Sequence, residues 1–152
     1  MTVAPPGPSA LWPKTGGRCS HGAYARGMAR PVALATAAMV CGSGVGLGAF
    51  GAHGLAKVLE PAQLQTWNTA VHYQLVHGLA MLAAVLAPLP QRTGTAVLHC
   101  FGWGTLLFSG SLYLLSALGM KFLGPVTPVG GVLFLVGWVL FAVGSLRQPH
   151  KH

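Results

Sequence analysis

The sequence predicts an all-α protein, an integral membrane four-helix bundle with antiparallel up-and-down spans, on three observations. Its residues are 53% hydrophobic and only 7% charged, against about 45–50% and about 25% in soluble domains, and so few charges cannot build a surface that faces water. The apolar residues fall into four runs, about 32–50, 69–89, 96–119 and 128–146, each near the roughly twenty residues that cross hydrocarbon. Each run also carries small or weakly polar residues at helical spacing on one face, which lets helix backbones approach closely in lipid.

Ahead of the first run, residues 1–30 are rich in Pro, Gly and Ser, carry Lys14, Arg18, Arg26 and Arg30, and contain no acid. Without hydrophobic periodicity they read as a basic disordered tail. A cleaved leader fits less well than a retained span, because the run that follows exceeds the about 7–15 apolar residues of a signal core. Met28-Ala29-Arg30 would itself suffice as an anchor before that run, so translation from Met28 is a second reading of the start. The membrane domain then covers residues 31–147, and 148–152 form a short tail.

In span one, Ala33, Ala37, Cys41, Gly44, Gly48 and Ala52 recur at three- and four-residue steps and share a helical face. Gly46, Gly48 and Gly51 spell a formal GxGxxG, but with no strand before it and no acid about twenty residues on it reads as helix packing, not a dinucleotide site. Glu60 and Pro61 suit the start of a second helix, where a missing N–H costs nothing and a negative charge favours the N-terminus. Leu64, Trp67, Val71 and Leu75 continue its apolar face, with Trp67 expected at headgroup level. Thr69, Tyr73, His77, Ala80 and Ala84 form a small or polar stripe, expected to face protein. Gln91 to Thr95 reads as a short turn, which implies antiparallel neighbours. Span three repeats the design with Gly102, Thr105, Ser109, Tyr113, Ser116 and Gly119. In span four, which Thr127 is expected to start, Gly130, Gly137 and Gly144 stand seven apart, the repeat of left-handed packing.

Nine Lys and Arg against one acid give a net charge of +8. These charges flank or separate apolar runs, which fits topology signals and not a nucleic-acid surface. Four spans put both termini on one side with Lys14, Arg18, Arg26, Arg30, Arg92, Arg147 and Lys151, against Lys57 and Lys121 on the other. That bias places the termini in the cytoplasm. Cys19, Cys41 and Cys100 are odd in number and far apart, so they imply neither a disulfide framework nor a metal knuckle.

Three ordered blocks carry a family resemblance: Gly48-Ala-Phe-Gly-Ala-His-Gly-Leu55, Trp67-Asn-Thr-Ala-Val-His-Tyr-Gln-Leu-Val-His77, and Phe108-Ser-Gly-Ser-Leu-Tyr-Leu-Leu115 followed by Thr127-Pro-Val-Gly-Gly131 and Gly137-Trp138. Over about residues 32–146 the chain resembles the small membrane proteins called domain of unknown function 423, the YgdD-like and transmembrane protein 256-like proteins. The resemblance implies a compact bundle of four membrane helices and brings no reaction, cofactor or ligand. The basic leader is longer than is usual in that family.

No residue arrangement specifies a reaction. His53, Tyr73 and His77, with Ser109 and Tyr113, are the candidate functional polar residues, because polar groups in a membrane need partners and often line pathways. Their competing role is hydrogen bonding between helices, as Gly44, Gly48, Gly130, Gly137 and Gly144 serve packing. His72 and His77, five apart, lie about 140° around a helix and cannot chelate one ion. Even with His53 and His77 brought together across the hairpin, Glu60 is the only acid, so no metal ligand set is assigned. Ser109, Ser111 and Ser116 have no Asp for a triad, and neither catalytic residues nor a cofactor is expected. The leading expectation is a non-enzymatic multi-pass protein that packs with itself or another membrane component. The alternative is a small transporter or channel with a polar path at His53, Tyr73 and His77, where a histidine could titrate near neutral pH.

Overall fold

Four helices account for nearly all of the chain from residue 21 to residue 147, the part whose backbone this computed structural model describes; side-chain surroundings are described for residues 30–120 and 122–147. They are α1 (His21–His53), α2 (Pro61–Leu86), α3 (Gln91–Leu118) and α4 (Val126–Leu146). Single 3-10 turns, Leu55–Lys57 and Lys121–Leu123, lie in the first and third connections. Each helix contains a stretch long and apolar enough to cross a membrane. The tails expected at residues 1–20 and 148–152 lie outside the described residues. The α1 helix takes in residues 21–30, assigned from composition to the tail, and runs through Pro31.

Local chemistry explains where the helices start and stop. Glu60 and Gln63 form a capping box at α2, the Gln63 side chain accepting from the Glu60 N–H at 3.1 Å, with Pro61 in the first turn. At the end of α3, Gly119 takes a left-handed conformation (φ 67°) and donates its N–H to the Leu115 carbonyl. Two expected boundaries are displaced. Residues 91–95 are the first turn of α3, not a loop, because Ala87 to Pro90 alone reverse the chain and the Gly94 N–H already bonds to the Pro90 carbonyl. Thr127 lies inside α4, one residue past its start at Val126, and its hydroxyl bonds to that of Ser111 at 2.7 Å instead of capping.

Small residues on one helix meet large ones on the next. Along α1 and α2, Gly51 faces Trp67, Gly48 faces Val71, Gly44 faces Leu75, and on the other side Gly78 faces Cys41. Each step up one helix is a step down the other, so the hairpin is antiparallel. The same holds for α3 and α4, where Gly130 seats Phe108, Gly137 seats Phe101, Gly144 seats Thr93, and Gly104 seats Phe134. The core of Ala37, Ala80, Met81, Ala84, Val97, Phe101 and Phe134 draws on all four helices. Main-chain packing nevertheless follows the chain, α1 on α2, α2 on α3 and α3 on α4.

Candidate functional site

His77 is buried, at 3% exposure, where α2, α3 and α4 meet. Its Nδ1 lies 2.8 Å from the Tyr73 carbonyl, which can only accept, so this nitrogen carries the proton. Its Nε2 is then the acceptor for the Trp138 indole N–H at 3.3 Å. Both ring nitrogens of a neutral imidazole are thus engaged. Phe134 lies flat on the ring at 3.4 Å and 9°, with Phe101 at 5.5 Å. One glycine from each of α3 and α4 allows this, since Gly104 makes room for Phe134 and Gly137 for Phe101.

One turn away, Gln74 joins the other side of the molecule. Its amide nitrogen donates to the Val40 carbonyl at 3.0 Å and the Ser43 hydroxyl at 2.9 Å, and its oxygen accepts from the Tyr113 hydroxyl at 2.9 Å. One buried side chain therefore ties α1, α2 and α3. Ser109, also buried, donates to the Ala70 carbonyl at 2.9 Å. Thr105 is buried on α3, and its hydroxyl has no hydrogen-bond partner among the described residues.

Of the residues singled out from the sequence, His77 and Tyr73 share the aromatic cluster, and Ser109 and Tyr113 hold α3 to α2. His53 does not join them. It is exposed at the last residue of α1, twelve residues beyond Cys41, which faces the His77 level of α2, and so about 18 Å away along the helix. Trp67, expected at headgroup level, turns its ring toward protein. It is buried between α1 and α2, its indole N–H donating to the Leu47 carbonyl at 3.0 Å, because Gly51 leaves space for the ring. Gln74, Ser43 and Trp138 were missed as polar partners. Gln74 lies off the small-residue stripe, and its burial depends on which helix face α1 covers. Among the described residues no three His, Cys, Asp or Glu side chains group to hold a metal ion. A cavity of about 990 Å³ between α1 and α3 reaches Gln74 and Tyr113 and is not lined by His77.

Residues 47–131 match the family described as Protein of unknown function (DUF423). The chain belongs to that family. Its DUF423 relatives include the UPF0382 membrane protein YwdK of Bacillus subtilis, 42% identical over 108 residues that cover 68% of this chain and 86% of YwdK. The UPF0382 inner membrane protein YgdD of Escherichia coli is 43% identical over 114 residues, 70% of this chain and 83% of YgdD. A UPF0382 membrane protein of Haemophilus influenzae is 44% identical over 106 residues, 68% and 85% of the two chains. No solved structure matches. Family and fold agree on a multi-pass membrane protein, four apolar helices with no strand among the described residues.

Proposed function

We propose that this DUF423 protein acts without catalysis, in a bacterial cytoplasmic membrane, by packing its first helix against another membrane helix, of a second copy or of a different membrane protein. The supporting observation is the outer face of α1. A Cβ built on Gly42 or Gly46 meets nothing within 4 Å, whereas Gly44, Gly48 and Gly51 are filled by α2, and Gly130, Gly137 and Gly144 by α3 or, at Gly144, by Thr93 and Leu89. Ala38 and Ala49 are exposed on the same side. Together they make a small-residue stripe four and three residues apart, the spacing that admits a neighbouring backbone in lipid.

The polar-path alternative has less support. His53 stands apart from His77, and His77 has both nitrogens engaged and an aromatic ring on its face. Affinity purification in mild detergent, with mass spectrometry of what is retained, tests the proposal. Wild type is expected to bring down a second copy or a defined membrane partner. Gly42→Leu and Gly46→Leu point into open space, so they should keep the fold and lose that association. Association unchanged in both variants would overturn the reading.

A further inference from the structure

On a different side of α1 from Gly42 and Gly46, the bundle leaves a long groove against α3. Its deeper part, about 990 Å³, has walls of Val40, Met81, Leu98, Trp103 and Leu106 and is overwhelmingly apolar. Its outer part, about 320 Å³, is lined by Arg30, Gln91 and Gly94 along with apolar groups, and is as polar as it is apolar. Ala33, Thr95 and Leu98 line both, so the two are neighbouring stretches of one groove. The polar stretch lies at the start of α3, the membrane boundary, and the apolar stretch runs inward from it. That division matches an amphiphile.

We propose that this groove holds one anionic phospholipid of the surrounding bilayer, its phosphate at Arg30 and Gln91 and its acyl chains along Leu98, Met81 and Leu106. Charge complementarity selects the headgroup. Arg30 lines the polar stretch, Arg92 follows Gln91 in the first turn of α3 and is exposed, and no acid is present anywhere else in the chain than Glu60, at the opposite end of α2. Basic pockets between membrane helices are suited to anionic headgroups, and a guanidinium forms charge-assisted hydrogen bonds to phosphate oxygens. Thr36 and Thr95 add little polarity to the tail region, since their hydroxyls are turned back onto the Val32 and Gln91 carbonyls of their own helices.

Native mass spectrometry of the full chain, equilibrated in detergent with equal phosphatidylglycerol and phosphatidylcholine, reads the site directly. The expected result is one phosphatidylglycerol retained per chain in preference to phosphatidylcholine. Arg30→Gln should reduce that preference about fivefold, the effect of one basic residue on binding a net anionic lipid over a zwitterionic one. Gly102→Leu, whose Cβ has 3.9 Å of clearance from Met81, fills the groove and should abolish retention while far-UV circular dichroism stays that of wild type. Equal retention of the two lipids by wild type overturns the proposal, and so does preference that survives both variants. Because Gly102 and Arg30 lie off the outer face of α1, loss of lipid here and loss of partner in Gly46→Leu are separable results.

Discussion

Gln74 carries more of the polar accounting than any residue singled out from the sequence. Replacing it with Leu removes the acceptor of the half-buried Tyr113 hydroxyl, and leaving such a donor unpaired costs about 1 kcal/mol, the low end for a fully buried one. Gln74→Leu should therefore lower the thermal unfolding midpoint in detergent. The double variant Gln74→Leu/Tyr113→Phe should recover much of the loss, because removing both partners is close to neutral. Thr105→Val makes the opposite case. Its hydroxyl is buried and has no partner among the described residues, so the near-isosteric valine should leave the midpoint unchanged or raised. A loss comparable to that of Gln74→Leu would show that the Thr105 hydroxyl has a partner after all. His77 was legible from sequence because an imidazole inside an apolar run demands an explanation. Gln74, three residues earlier and off the small stripe, was not, since only the position of α1 buries it. The Trp67 pocket was hidden for a related reason: the preference of tryptophan for interfaces speaks of depth in lipid, and only the register of α1 on α2 brings Gly51 to the ring.

At the level of helices, the seven-residue glycine repeat of α4 was legible and its partners were not. Periodicity states which face is narrow, but only the antiparallel register brings Phe108 to Gly130 and Phe101 to Gly137. The boundaries were legible where a capping residue marks them, as at Glu60, and slipped where prolines crowd, as at 88–91. The glycine contacts rank a mutation series. A Cβ at position 130 would stand 2.5 Å from the Phe108 backbone nitrogen, whereas at 137 it meets the edge of the Phe101 ring, side chain and not backbone, and at 110 it meets nothing within 4 Å. Gly130→Ala should thus cost most, about 1–3 kcal/mol or more from overpacking, Gly137→Ala less, and Gly110→Ala nothing measurable. Chemical or thermal unfolding of the three variants in one detergent checks the order. A loss in Gly110→Ala equal to that in Gly130→Ala would mean that α3 meets another surface at Gly110.

For the whole molecule, the arrangement of helices turns a charge count into a topology. The Ala87–Pro90 reversal lies at the same end as Arg30, Arg92 and Arg147, for Gly144 of α4 seats Thr93 there and Arg30 shares a cavity with Gln91. The connections holding Lys57 and Lys121 lie at the other end. Positive residues are retained in the cytoplasm by an excess counted over such short flanks, so the end with Arg30, Arg92 and Arg147 is expected inside, with both termini. What the count could not supply is the unequal packing, with only 11% of the apolar stretch of α1 buried against 39% in α2. Because α1 is the least committed helix, its flanking charge has the greatest leverage on insertion, and Arg30 is the nearest described basic residue. A fluorescent reporter fused after His152 should therefore be bright, and alkaline phosphatase fused there inactive, while phosphatase inserted after Lys57 should be active. The reverse pattern would place Lys57 and Lys121 inside. It would also move the polar end of the α1–α3 groove to the outer leaflet, where a phosphatidylglycerol site would have to draw on a different lipid pool.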